Sequence, residues 1–135
     1  MKLLKVCTAL LVALTLSCVK TREPTAAIEV TYPLAERDAL VARIAAFAVE
    51  RDFHFEHHRA APRAPHNNDI ALNGHGMTIW AAYFDSSTCM TIYFDKSIAP
   101  PQATRTSVLS EVTRMSEFIR YTSGIAVSPV ARARC

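Results

Sequence analysis

The chain has 135 residues, with 15 Lys+Arg against 12 Asp+Glu, half of its residues hydrophobic and only three glycines. That length and charge content suit one packed domain and argue against a multidomain or disordered chain. Gly74, Gly76 and Gly124 are too few for a dinucleotide-binding G-x-G-x-x-G turn or a phosphate-cradling P-loop, and no H-E-x-x-H, C-x-x-C or G-x-S-x-G occurs.

The first eighteen residues divide into pieces. Lys2 and Lys5 make a short positive start, and 6–16 is an apolar stretch of signal-peptide length, well short of the about 20 residues that span a bilayer. Ser17 then precedes Cys18. The run Leu14-Thr15-Leu16-Ser17-Cys18 resembles the lipobox of bacterial lipoproteins, with Thr15 standing where that class usually has Leu. The resemblance covers the export signal only. It implies that 1–17 is a signal peptide, that Cys18 is acylated on its thiol and on the amino group freed by cleavage, and that 18–26 tethers a single domain over 27–135. Two or more buried acyl chains hold a protein at a membrane stably. Val19, rather than Asp, follows Cys18; in the Gram-negative sorting scheme this directs a lipoprotein to the outer membrane, facing the periplasm. The alternatives are an ordinary secretory signal cleaved nearby and an uncleaved anchor.

Loss of the signal removes Lys2 and Lys5, leaving 13 basic against 12 acidic residues and a net charge of +1. The remaining arginines are scattered, so no clustered basic face suits nucleic acid. Cys7 leaves with the signal and Cys18 is blocked by lipid. Cys89 and Cys135 remain as an even pair in an oxidising compartment, where a disulfide is expected. Closing that loop stabilises a fold by about 4 kcal/mol in the chain-entropy model. Two unrelated thiols are the alternative.

Along the mature chain, 19–25 is polar and 27–32 alternates weakly, as a first strand would. Pro33 suits the opening turn of a helix. Over 34–51, Leu40, Val41, Ile44, Phe47 and Ala48 recur with helical spacing, opposite Glu36, Arg37, Arg43 and Glu50. Residues 53–59 alternate with period two, which sets Phe53, Phe55 and His57 on one face and His54, Glu56 and His58 on the other. Pro62, Pro65, Asn67 and Asn68 make 60–69 a loop, and Asn73-Gly74 marks a turn. Residues 77–84 and 89–94 are the strongest strand signals and flank the turn-forming Asp85-Ser86-Ser87-Thr88. Trp80 and Phe84 fall on one side, Ile79 and Tyr83 on the other. With both sides apolar, the pair belongs in the middle of its sheet.

After Pro100-Pro101, Val108, Leu109, Val112, Met115 and Ile119 form the stripe of a second helix, with Arg105, Glu111, Arg114 and Glu117 toward solvent. Thr104 or Thr106 caps its start and Gly124 suits the left-handed position beyond its end. Residues 125–130 read as a last short strand, Pro129 implying an edge. The expected fold is α+β: an antiparallel sheet of three to five strands with two helices packed on one face.

The one dense polar cluster is His54, Glu56, His57 and His58, with His66 and His75 further on. Imidazoles and a carboxylate suit Zn²⁺ or Cu²⁺. On a strand, however, the β-carbons of His54 and His58 lie about 13 Å apart, so one ion would need a bent strand or a further ligand such as His66. A solvated strand edge is the plainer reading. No serine sits in a strand-to-helix elbow. Trp80, Tyr83, Tyr93 and Phe94 offer an aromatic recognition surface, although period-two aromatics usually belong to the core. Arg59, Arg63, Pro62 and Pro65 give a stiff basic loop suited to an acidic partner.

No cofactor is expected, and the anticipated role is protein binding rather than catalysis. It would be that of an accessory subunit of an envelope machine, or of an inhibitor or immunity lipoprotein. The alternative is a metal-binding protein using His54, His57, His58 and His66. Mass spectrometry of the protein from its native membrane should find a chain that begins at an acylated Cys18; an unprocessed, unmodified polypeptide would refute the anchor.

Overall fold

The structure, a computed structural model, describes residues 23–59, 68–121 and 124–130, together with Cys135. Cys18, His66, Arg63, Pro62 and Pro65 therefore lie outside the described residues. The elements are β1 (Ala26–Thr31), a 3₁₀ turn (Leu34–Glu36), α1 (Arg37–Glu50), β2 (His54–His58), β3 (Asn68–Gly74), β4 (Met77–Tyr83), β5 (Cys89–Lys96), α2 (Arg105–Arg120) and β6 (Ala126–Pro129). All the strands join one antiparallel sheet in the order β2-β3-β4-β5-β1-β6, so the two strongest predicted strands, β4 and β5, do lie at its centre.

The α+β class holds, with two helices, but the sheet has six strands where three to five were expected. The difference is β3, whose start carries the signals of a loop and whose end carries those of a turn. Its sequence, NDIALNG, has turn-forming residues at both ends and just two large apolar residues, too little to mark a strand locally. In the sheet, Asn68, Ile70 and Leu72 are buried while Asp69 and Asn73 are exposed. Buried Asn68 is satisfied through its Nδ2, which donates to the Asp85 carboxylate at 2.9 Å.

The turn itself lies two residues later than Asn73-Gly74. Gly74 pairs with Met77, and His75 and Gly76 between them have φ of 51° and 71°, the two positive values that a tight type I′ hairpin requires. Gly76 must be glycine for a second reason. A Cβ there would stand 2.6 Å from Ala103 N and from Pro101 O, because the Gly76 carbonyl accepts from both Ser97 N and Ala103 N.

Both helices pack on one sheet face. Ile28, Val30, Ile70, Leu72, Ile79, Met90, Ile92 and Phe94 face Leu40, Ile44 and Phe47 of α1 and Val108, Met115 and Ile119 of α2, every one of them at most 2% exposed. The end of α1 is set by Asp52, which adopts φ 58°. Phe53 N then bonds Ala48 O at 2.8 Å, Asp52 N bonds Val49 O at 3.3 Å, and the Phe53 ring stacks on Phe47. This is a Schellman ending with aspartate in the place glycine usually takes. Thr104, one of the two residues expected to do so, caps α2 by accepting from Ser107 N at 3.1 Å. Gly124 takes the expected left-handed conformation, φ 75°.

Two stripe assignments on α2 exchange sides. Leu109 is 41% exposed, whereas Glu111, expected toward solvent, is 7% exposed. The cause is Arg51 at the end of α1, which grips the Glu111 carboxylate with two bonds, Nη2 to Oε1 at 2.6 Å and Nε to Oε2 at 3.2 Å. This bidentate geometry compensates for burying the charge. Arg43 adds a second tie between the helices, its guanidinium 4.3 Å from the Phe118 ring and its Nε donating to Phe118 O.

Phe94→Ala should cost about 3–5 kcal/mol, since it empties the middle of this core. Ile98→Ala, at a position 89% exposed, should shift stability by no more than about 0.5 kcal/mol. Urea unfolding of the two variants measures the contrast.

Candidate functional site

Strand alternation leaves the other sheet face to a different set of side chains. Its middle row runs Glu56, Ala71, Trp80, Tyr93, Ala27 across five strands, by direct cross-strand pairing. Trp80 and Tyr93 stack with ring centroids 4.2 Å apart and planes 20° from parallel, and Trp80 is 42% exposed. An alanine on each side of the stack leaves the rings standing above their neighbours. On one side of this row lie Asn73, Thr78 and Asp95, where the Thr78 hydroxyl donates to Asn73 Oδ1 at 3.0 Å. On the other lie His58, Asp69, Ala82, Thr91, Glu29 and Ser128. The aromatic set named from sequence is thus divided: Tyr83 and Phe94 belong to the core, Trp80 and Tyr93 to the open face.

The histidine cluster is divided as well. His54 and His58, both exposed, share the outer side of the edge strand β2 with Glu56. The carboxylate sits between them, Oε1 3.2 Å from His54 Nε2 and Oε2 3.7 Å from His58 Nε2, so the imidazoles occupy different oxygens. His57 points to the opposite, inner side. Its Nε2 is hydrogen-bonded to the Tyr83 hydroxyl at 2.9 Å, and the two rings lie 29° from parallel. Geometry therefore removes His57 from any ligand set containing His54 and His58. His75 is elsewhere again; its Nε2 donates to Arg51 O at 2.7 Å beside the end of α1.

Burial holds the His57 imidazolium below its ordinary pKa, and the charges of Arg59 and His58 act the same way against the weaker pull of Asp38. Burial also raises the Tyr83 and Tyr32 hydroxyls, with Tyr83 adding to the effect on Tyr32. Tyr32 Oη is buried without a hydrogen-bond partner among the described residues. Arg37, near both tyrosines, reaches the Asp85 carbonyl and carboxylate, tying the start of α1 to the β4–β5 turn.

A third arrangement joins Glu29 and Thr91, which nothing in the sequence singled out, to the Cys89 and Cys135 pair expected from it. Cys89 lies on the open face opposite Thr31, and Cys135 stands with its Cα 5.6 Å from that of Cys89 and the two sulfurs in contact. That spacing is one a disulfide spans. One ligand atom each from Glu29, Cys89 and Cys135 lie within 4.8 Å of one another. Beside them, Glu29 Oε2 and Thr91 Oγ1 are buried without hydrogen-bond partners among the described residues. Glu29 and Thr91 are directly paired across β1 and β5, and Thr91 is 4% exposed. No local signal marks Glu29 and Thr91, because their meeting depends on register between strands more than sixty residues apart in sequence.

Near α2, a cleft of ≈ 440 Å³ is lined by Arg51, His75, Met77, Thr104, Thr106, Ser107, Ser110 and Glu111. Its polar groups are engaged locally: Arg51 holds Glu111, Ser107 and Thr104 share the helix cap, and His75 bonds backbone. No family model, curated protein or solved structure matches the chain.

The depressed His57 pKa sets a direction for acid stability. Above the ordinary value of 6.5 the ring is neutral in both folded and unfolded chains, and its contribution is complete. As pH falls through 6.5 the unfolded chain takes up this proton first, so the fold loses stability progressively until the half-buried ring is protonated too. Urea midpoints measured from about pH 7.5 to about pH 5 should fall more steeply for the native chain than for His57→Gln; equal slopes would refute the assignment.

Proposed function

We propose that this protein is a lipid-anchored component of the cell envelope that works by binding another protein. In this reading Cys18 carries the lipid, Cys89 and Cys135 form a disulfide, and the open sheet face is the recognition surface. The observation that carries the binding role is the Trp80–Tyr93 stack, raised between Ala71 and Ala27 at the middle of a face that neither helix covers. Exposed aromatic pairs ringed by small and polar residues are the usual anchors of protein interfaces. The helices are fully used in covering the other face, and no helix among the described residues is long and apolar enough to cross a membrane. The support for attachment is the N-terminal run Leu14-Thr15-Leu16-Ser17-Cys18, which resembles a lipobox.

An accessory subunit and an inhibitor or immunity lipoprotein are both consistent with such a surface, and the partner's identity distinguishes them. Crosslinking in intact envelopes, followed by purification of the partner, supplies the binding pair. The double change Trp80→Ala with Tyr93→Ala should weaken that pair by about 2 kcal/mol or more, roughly 30-fold, with the urea midpoint little altered. Unchanged affinity would refute the surface.

A further inference from the structure

We propose that Glu29, Cys89 and Cys135 are also a Zn²⁺ site, one that opens when the cysteines are reduced; it rests on the pairing of Cys89 with Cys135 proposed above. Two thiolates and a carboxylate are a set that a borderline-soft ion accepts, and three protein ligands leave one tetrahedral position for water. The ligand atoms already lie within 4.8 Å of one another.

The second observation is independent of that proximity. A carboxylate oxygen and a hydroxyl buried without partners are costly, and here both occur side by side. Glu29 Oε2 and Thr91 Oγ1 are orphaned on directly paired residues, and Cys89 is two residues before Thr91 on the same side of β5. With an ion present the carboxylate gains a ligand bond. The Thr91 hydroxyl, on the residue paired directly with Glu29, is the group that would meet the ion's water, the outer contact that orients a metal-bound group. Cys135 is exposed, which gives the ion a path in.

Redox state controls the site. In the disulfide neither sulfur is a thiolate, and Glu29 alone holds no zinc. A dithiol reductant breaks the S–S bond, supplying two electrons and two protons as it closes its own disulfide. Zn²⁺ then displaces both protons from the Cys89 and Cys135 thiols to solvent. The sulfurs part by about 1.7 Å to reach tetrahedral positions at about 2.3 Å from the ion.

Co²⁺ reports this directly, because thiolate ligation gives a near-ultraviolet charge-transfer band that imidazole does not. The full chain carrying C7S and C18S, so that two sulfurs remain, is held in detergent, reduced and desalted without air. It should take up one Co²⁺ with that band, lost on adding one equivalent of Zn²⁺, while the air-oxidised chain shows none. E29Q should weaken Zn²⁺ at least tenfold, and C89S should abolish the band. A reduced chain without the band, or E29Q with undiminished affinity, overturns the site. Thiols counted before reduction test the pairing separately: two free thiols in the aerobic protein would overturn the pairing, and the redox gating with it, even if the reduced chain binds Co²⁺.

Discussion

Among the described residues, two helices pack against one side of a six-stranded sheet and none packs against the other. The surface we assign to binding follows from that imbalance. The inner residues of the central strands are mostly aliphatic or aromatic and inaccessible, as a two-layer core demands, with Asn68 a buried polar exception. The outer residues at the same strands carry Glu, His, Asp, Thr and Ser, with Trp80 and Tyr93 among them. Since period-two alternation allots every strand residue to one side or the other, the register that builds the core also sets the pattern of the exposed face.

The same constraint explains how much of the fold could be read from sequence. Helical stripes survive translation because five apolar residues of α1 recur on one side, and β4 with β5 announce themselves through β-branched and aromatic runs. Strand β3 escapes because it has only Ile70 and Leu72 to offer, framed by Asn68, Asp69, Asn73 and Gly74. Local chemistry says turn, while the sheet on both sides of it says strand. The hairpin shift has a similar origin. Asn-Gly is the stronger turn signal in isolation, but pairing Gly74 with Met77 gives the positive φ values to His75 and Gly76, where the close approach of 101–103 already requires a glycine.

Charged residues were the least legible. Glu111 looked like a solvent-facing position of α2, and only the arrival of Arg51 from the end of α1, sixty residues earlier, makes its burial tolerable. His57 was grouped with its sequence neighbours by composition, whereas the strand turns it inward to Tyr83 and leaves His54 and His58 on opposite oxygens of Glu56. Adjacent histidines in a strand point to opposite faces and do not close on one ion; that much follows from period two. That His57 would find a tyrosine hydroxyl was not, since Tyr83 lies two strands away.

The Glu29–Thr91 pair shows why the open face is more than a leftover surface. A carboxylate and a hydroxyl placed opposite each other on neighbouring central strands would normally be hydrated, yet here both have buried, unpartnered oxygens beside two sulfurs. Evolution toward stability alone would replace Glu29 with an apolar or β-branched residue, which fits this pleated position better and removes the desolvation cost. Keeping an acid there makes physical sense if it meets positive charge in some state of the molecule. In the site we propose, the ion that brings that charge binds only once the Cys89–Cys135 bond is broken, so Cys135 and the face of the sheet form one chemical unit, with Thr91 two residues and Cys89 four residues along β5 from Tyr93 of the aromatic stack. A change at the sulfurs would thus fall on the same sheet face as the surface we assign to partner binding.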